Sequence, residues 1–476
     1  MFRYAFEMTP IVTPAEMAAI DAAAPEPVEE LIERAGAALA RTALDMLGGG
    51  YGRRVTVLAG KGNNGADGRA AAQRLRRRGV RVAVVDAADA PDTLPPAHLA
   101  IDAAYGTGLR RPFSPPGPAP SIDDPDQAAP ILAADIPSGV NGLTGEIPGH
   151  AWTADQTVTF GALKQGLVLH PGAQHCGQIT VASIGLDVSG VRTHLVTADD
   201  VGRWLPVRPV VAHKWKTACW VIAGSPGMTG AAHLAATAAL RGGSGYVRLS
   251  TPGLDAADLH AGPAGPTEAV GFPLPADDWA SVVVEDELAR FKSVLVGPGL
   301  GRHPSTVQAV RDLVAKVQLP LVVDGDGLSA LGPDAPTLLT HRTVPTVLTP
   351  HDGEYRMLTG AAPDPDRFAA ARSLAAATGA IVLLKGPTTV VAHPGGDALA
   401  VTSGDARLAT AGTGDVLAGL ICGLLSTRAE PMHATAAAAW IHGKAATACP
   451  LAGTKASDLL SVLPQMWEAA AQKAVT

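Results

Sequence analysis

Short apolar runs that end abruptly in glycine- and proline-rich polar loops, each followed by a helical pattern, constrain this chain more than any other feature. "RVTVLAG" (Arg54–Gly60) gives way to a Gly/Asn loop and then to a helical pattern over Ala66–Arg78. "VRVAVVD" (Val80–Asp86), "HLAIDAA" (His98–Ala104) and "PILAADIP" (Pro130–Pro137) are further strand candidates, and "TVTFGALK" and "GQITVASIGL" close this block. Helical patterns near Ala15–Ala24 and Val28–Leu47 precede it, and the Pro-rich stretch Arg110–Pro130 reads as a long surface loop. A second block opens with "ACWVIAG" (Ala218–Gly224), a Gly-rich turn and a helix over Thr229–Arg241. "SVLVGPGLG", "PLVVDGDGL", "TVLTPHDGE" and "AIVLLKGPTTVVA" then repeat the strand-into-loop pattern. Alternating strand and helix predicts parallel sheets with helices on their faces. In such sheets ligands bind at the carboxyl ends of the strands, where both blocks put their polar residues.

The length, 476 residues, calls for two or three domains. "RWLPVRPVVAHK" carries prolines and no clear period, so a boundary is expected within Val191–Ala212, giving domains 1–212 and 213–476. Hydrophobic residues make up 47% and charged residues 17%, enough for two sizeable cores and unlike a disordered chain. The net charge of −7 argues against a broad nucleic-acid surface, so an anionic ligand must be held by local loops. Four cysteines, Cys176, Cys219, Cys422 and Cys449, show no metal spacing and suit a reduced, cytoplasmic chain. Neither a secretory signal nor a membrane span is expected.

Chemistry concentrates first in "AGKGNNGADG" (Ala59–Gly68), a strand-to-helix turn whose glycines and helix start favour an anion. A plain capped turn would need one side-chain oxygen; Asn63, Asn64 and Asp67 offer several. "AIDAAYGTGLRRP" and "AADIPSGVNG" add Asp102, Asp135 and Ser138 at neighbouring strand ends. Oxygens converging there suit a hard cation, although a single Asp more often caps a loop.

"LIERAG", "GKGNNGADG", "DAAYGTGLRRP" and "DIPSG" resemble, in order, the motifs of the NAD(P)H-hydrate epimerase family. That resemblance implies a Rossmann-like three-layer α/β/α fold, interconversion of the R and S forms of hydrated NAD(P)H, and a bound potassium ion. It implies that Asn63, Asn64, Gly65, Ala66 and Asp67, with Gly106, Thr107, Gly108, Leu109, Arg110, Arg111, Pro112 and Asp135, contact the hydrated nucleotide. Asn64, Asp102 and Ser138 would bind potassium, and Asp135 would shuttle the proton. Lys61 and Ala66 stand where the family more often has Pro and Gly, and Ala66 places a methyl where a positive φ is expected.

In the second block the most informative stretch is "TAGTGDVLAGL" (Thr410–Leu420). Gly412 and Gly414 expose N–H donors at a helix start, and Asp415 follows in the first turn. Asp415 either caps that helix or takes a proton beside a bound phosphate, and glycines packed around it favour the second role. His351 alone reads as a hydrogen-bonded loop histidine, and Lys385 with its neighbouring hydroxyls could face a phosphate or solvent.

"AGSPGMTGAA", "GPGLG", "LTPHDGE", "LLKGPTTVV" and "GTGDVLAG" together resemble the ribokinase-like ADP/ATP-dependent NAD(P)H-hydrate dehydratases. On that resemblance Ala231, Gly299, Gly301, His351 and Asp415 contact the hydrated nucleotide. Lys385, Gly386, Pro387, Thr388 and Thr389 hold the adenine nucleotide. So do Asp405, Ala406, Arg407, Leu408, Ala409, Thr410, Ala411, Gly412, Thr413 and Gly414. Magnesium would accompany ADP or ATP. The implied protein is a fused, cytoplasmic, homo-oligomeric repair enzyme acting on small molecules, with partners neither in nucleic acid nor in the membrane. Two alternatives use the same residues. One is a small-molecule kinase based on Asp415. The other makes the N-terminal domain a nucleotide-binding module without catalysis.

Overall fold

A computed structural model describes residues 8–109, 111–255, 258, 268–285 and 288–473. It divides into two compact units, Thr9–Thr193 and His194–Thr476 with Met8. The division falls ahead of residue 212 because the intervening segment is structured. There β9 (Thr193–Leu195) leads to helix α5 (Ala198–Trp204), started by a Thr197–Asp200 capping box. Val196 donates its N–H to Ala400 O at 2.9 Å, and Trp204 stacks on His433 with ring centroids 4.3 Å apart. These contacts hold Val196 and α5 in the second unit.

The first unit begins with β1 (Thr9–Val12) and α1 (Pro14–Ala23), the latter fixed by a Thr13–Glu16 capping box and Pro14. Then come α2 (Val28–Leu47), β2 (Arg54–Ala59), α3 (Asn63–Arg77), β3 (Arg81–Asp86), β4 (Leu99–Ala103) and β5 (Ile131–Ala134). After the long Pro-rich loop and β5 follow β6 (Gln156–Phe160), β7 (Leu163–Lys164), a helical turn α4 (Gln165–Val168) and β8 (Gln178–Ala182). Six strands form a parallel sheet in the order β3-β2-β4-β5-β6-β8. Leu31, Ala35, Leu39 and Ala43 make one buried stripe of α2, at the four-residue spacing that keeps side chains on one helix face.

Helix α3 begins at Asn63 rather than Ala66, so the Asn/Gly/Asp run is its first turns and not a loop. Ala66 is helical and carries no positive φ. The close approach falls one residue earlier: a Cβ on Gly65 would overlap the carbonyl oxygen of Gly60, and a Cβ on Gly60 that of Ala104. Backbone on backbone, α3 is thereby pressed against the carboxyl end of β2.

The second unit continues with β10 (Ala218–Ile222), α6 (Thr229–Arg241), β11 (Tyr246–Ser250), β12 (Val270–Gly271), α7 (Trp279–Glu285) and β13 (Ser293–Val296). Next are α8 (Pro304–Lys316), β14 (Leu321–Val323), α9 (Asp326–Leu331), α10 (Ala335–Leu339), β15 (Thr346–Leu348), α11 (Asp352–Thr359) and α12 (Arg367–Thr378). The strands β16 (Ile381–Leu384), β17 (Thr389–Ala392) and β18 (Ala398–Val401) precede three helices, α13 (Thr413–Ser426), α14 (Pro431–Thr447) and α15 (Ala456–Lys473). The sheet runs β12-β11-β10-β13-β14-β15-β16-β17-β18. It is parallel as far as β16 and antiparallel through the last two pairings. No helix among the described residues is long and apolar enough to cross a membrane.

Helix α13 lies on α6 with backbone in contact. A Cβ on Gly419 would overlap Ala235 O, and one on Gly423 would overlap Ala239 O. The four-residue spacing of these glycines is one helix turn, so they form a groove that receives α6. Gly419→Ala must push the two helices apart and is expected to destabilise the chain by about 1–3 kcal/mol. Thermal unfolding of the full chain reads this, and an unchanged Tm would show that the contact has slack.

Candidate active sites

In the first unit a cavity of about 650 Å³ opens at the carboxyl ends of the strands. Asn63, Asn64 and Asp67 come to it from the first turns of α3, Gly106 to Leu109 and Arg111 from the loop after β4, and Asp135 from the residue after β5. The sequence-selected residues therefore largely converge. Gly65 instead serves the packing of α3, Pro112 is not in the cavity wall, and Arg110 lies outside the described residues.

Asp135 has φ +64°, a left-handed conformation uncommon outside glycine. Its Oδ1 accepts from Lys164 Nζ and from Thr159 Oγ1 at 3.1 Å. The Lys164 ammonium is 1% exposed and also donates to Thr159 Oγ1 at 3.0 Å and Phe160 O at 2.9 Å. Strand β7, paired in parallel with β1, carries this lysine. A strained backbone over-determined by a buried ion pair is the arrangement found where geometry serves chemistry. Sequence reasoning missed Lys164; the one available signal was a lysine closing an otherwise apolar strand.

Asp102 and Ser138 form a second knot. Ser138 Oγ donates to Asp102 Oδ1 at 2.6 Å, and its N–H donates to Oδ2 at 2.8 Å. Burial raises the Asp102 carboxyl, with the hydrogen bonds from Ser138 and Ala104 pulling the other way. The Asn64 carboxamide is buried, and neither Oδ1 nor Nδ2 has a hydrogen-bond partner among the described residues. Asp67 is pushed up to about 8, by burial first and then by the charge of Asp135.

In the second unit Asp324 follows β14 and Lys385 follows β16, and the two meet at 2.8 Å. Glu354, from α11, reaches Lys385 at 3.7 Å. Burial works against the Lys385 charge, but Asp324, Glu354 and Asp415 raise its pKa on balance. A Cβ on Gly414 would sit 3.5 Å from Lys385 Nζ, which places the ammonium beside the start of α13. Gly412, the residue before that helix, has φ +91° and supplies no side-chain cap. Asp415 is raised to about 6, by burial first and by Asp324 next, with Lys385 opposing.

The loop ahead of Gly412 is tied to itself. Asp405 accepts from Arg407 N at 3.0 Å and pairs with its guanidinium, and Thr413 Oγ1 donates to Leu408 O at 2.7 Å and Thr410 O at 2.8 Å. Arg367 braces the opposite side by donating to Lys385 O at 2.7 Å, beside Gly386. Thr388 is buried and Thr389 opens β17. Gly299 and Gly301 take positive φ, and a Cβ on Gly299 would meet Ala231 at 2.9 Å. His351 caps α11, its Nδ1 accepting from Gly353 N at 2.9 Å and Glu354 N at 3.3 Å, while its Nε2 lies 3.7 Å from Glu354 Oε1. His442 breaks the apolar run of α14. It is buried behind this site, its Nε2 has no partner among the described residues, and burial lowers it to about 4.

Comparison with known proteins finds relatives of both units. Residues 219–465 match the family model described as NAD(P)H-hydrate dehydratase. Residues 28–92 and 85–166 match the model described as YjeF-related protein N-terminus. A crystal structure of the ADP/ATP-dependent NAD(P)H-hydrate dehydratase from Bacillus subtilis, co-crystallised with ATP and Mg2+, superposes with a TM-score of 0.50 at 30% identity, covering 58% of this chain and 97% of that one. A ribokinase-like superfamily protein from Enterococcus faecalis (TM-score 0.51, 24% identity, 59% of this chain, 97% of that one) shares the fold. The fold and sites thus define a two-domain α/β enzyme in which a Rossmann-like unit precedes a ribokinase-like one. Bifunctional NAD(P)H-hydrate repair enzymes match across its length. That of Salinibacter ruber is 36% identical over 96% of both chains, and that of Moorella thermoacetica 35% over 95% of this chain and 96% of the other. The chain belongs to that family.

A base at Asp415 must be ionised to act. Its raised pKa puts the loss of activity on the acid side, with the rate falling as pH drops through about 6. Initial rates of NADPH recovery from the S hydrate, measured as kcat/KM against pH, are expected to show this acid limb; a flat profile from pH 5 to 8 would remove Asp415 as the titrating base.

Proposed function

We propose that the chain repairs hydrated NADH and NADPH in two steps. The first unit interconverts the R and S hydrates, and the second dehydrates the S form using a nucleotide. The observation that carries this reading is the convergence of Asp415, Lys385, Asp324 and Glu354 at the start of α13, in a chain that also holds the Asp135–Lys164 cavity.

Hydroxide is a poor leaving group, and phosphorylation makes it a good one. Asp415 takes the proton of the substrate hydroxyl as that oxygen attacks the terminal phosphorus of ADP, with AMP leaving; ATP is the alternative donor. The N–H groups at Gly412 to Gly414 and the Lys385 ammonium balance charge on the moving phosphoryl group. Phosphate then leaves the ring carbon beside the nitrogen, the neighbouring carbon loses a proton, and the ring double bond re-forms.

Magnesium enters with the nucleotide, as in the B. subtilis dehydratase crystals with ATP and Mg2+. No group of three or more His, Cys, Asp or Glu among the described residues is arranged to hold a metal, which suits an ion bound mainly through donor phosphates. Potassium fits the first unit. The buried Asn64 carboxamide lacks a partner, and Asp102 and Ser138 supply further oxygens. Bound there, it would fix the loops after β4 and β5 around the substrate. Four free, buried thiols suit a reducing compartment, and we assign the chain to the cytoplasm.

Incubating the full chain with mixed hydrate epimers and ADP or ATP tests the reading. Recovery of NADPH absorbance is expected to run to completion, and Asp415→Ala to abolish it in a folded chain. Accumulation of a stable phosphorylated product would instead indicate a kinase. Replacing potassium with tetramethylammonium is expected to slow epimerisation without affecting dehydration of pure S hydrate; equal epimerisation rates in both salts would remove the potassium site.

A further inference from the structure

The first unit's cavity holds more carboxyl groups than its cations can neutralise. Asp21 from α1, Asp67 from α3 and Asp135 after β5 all line it. Lys164 is the buried cation in its wall, and Arg111, also in the wall, is exposed. An ammonium has three N–H donors, and those of Lys164 go to Asp135, Thr159 Oγ1 and Phe160 O. Lys164 therefore has no hydrogen bond left for Asp67, which is 8% exposed. A buried carboxyl without a cation of its own keeps its proton. In agreement, Asp67 is raised to about 8, by burial and then by Asp135, with Lys164 opposing and Asp21 adding to the rise. Tyr105 and Arg111 are the other titratable groups of the cavity, and the cavity-lining residues of α2, Val28, Leu31, Ile32 and Ala35, carry no charge.

We propose that Asp67 is a second catalytic group, the acid that protonates the departing hydroxyl while Asp135, clamped by Lys164, serves as the base. This rests on the epimerase reading of the first unit. Inverting the ring carbon requires oxygen to leave one face and arrive on the other. The Asp67 proton passes to the hydroxyl, the C–O bond breaks, and the ring nitrogen's lone pair forms a C=N bond as water leaves. Water then adds to the opposite face of the planar iminium, the C=N pair returns to nitrogen, and Asp135 takes the proton of the incoming water. One water leaves and one enters, nothing is oxidised or reduced, and exchange with solvent returns the proton from Asp135 to Asp67. A carboxyl with no cation of its own, sharing a cavity with one bonded to a lysine, is the arrangement that separates acid from base.

The test uses the full chain without a phosphoryl donor, so that dehydration is idle. Purified R hydrate is supplied and the S form followed by chromatography, with the uncatalysed rate subtracted. Wild type is expected to lose activity as pH rises through about 8, because the acid is then ionised. Asp67→Asn is expected to lower kcat by ~10²–10⁴-fold with little change in KM and to lack that alkaline limb. Asp67→Glu is expected to keep the limb and a rate above that of Asp67→Asn. Far-UV circular dichroism and thermal unfolding establish that each variant is folded. A folded Asp67→Asn chain with wild-type kcat overturns the proposal, as does a loss confined to KM with the alkaline limb intact. Should Asp67→Asn not fold, the wild-type profile decides alone, and a rate constant from pH 7 to 9 overturns the assignment. Wild type that does not epimerise at all removes the epimerase reading itself, an outcome distinct from either.

Discussion

Direct backbone-to-backbone contact at glycine seats the helix that carries a site carboxyl in each unit, and both sites depend on it. In the first unit Gly65 rests on Gly60 and sets where α3 presents Asn64 and Asp67. In the second, Gly419 and Gly423 rest on α6 and set where α13 presents Asp415. A methyl group at any of these positions has nowhere to go. Dense packing transmits such displacement instead of absorbing it, so the carboxylate would move with the helix.

With the helices so placed, the sites share an electrostatic logic. Each surrounds one lysine, buried in the first unit and half-buried in the second, with an excess of carboxylates: Lys164 with Asp135, Asp67 and Asp21, and Lys385 with Asp324, Glu354 and Asp415. The lysine commits itself to one carboxylate at hydrogen-bonding distance. Among those left over, burial raises Asp67 to about 8 and Asp415 to about 6, so each is able to exchange a proton near neutral pH. In both units the aspartate that binds the lysine follows a strand, while Asp67 and Asp415 sit in the first two turns of a helix.

The sequence made one half of this pattern legible. Asp135 follows an apolar strand and Asp415 follows a glycine run into a helix, and in both places composition alone marks the change from core to site. The parallel α/β class was equally plain, because strand and helix periods alternate. Lys164 was hidden because β7 has two residues, too few for a period, and a lysine beside apolar neighbours reads as a solvated strand end. The start of α3 was misplaced because Asn and Gly are poor helix formers, and contact with β2 overrides that preference. The division between units falls inside the expected Val191–Ala212 window, and the place of α5 beside α14 comes from the Trp204–His433 stack, a contact across more than two hundred positions that no local pattern encodes.

The residue before α13 is a left-handed glycine, and no side chain closes that helix end. The first N–H groups of a helix need partners, and most helices carry their own. Thr413 N–H reaches Thr410 O at 3.3 Å, and on the proposed function the donor phosphate would supply partners for the rest, so the phosphate that is transferred would also complete the fold of the helix that transfers it. Binding and local folding would then be one equilibrium, with nucleotide holding the start of α13 together and its departure after each turnover leaving that end open to fray. On that reading the helix end is finished only while there is something to transfer.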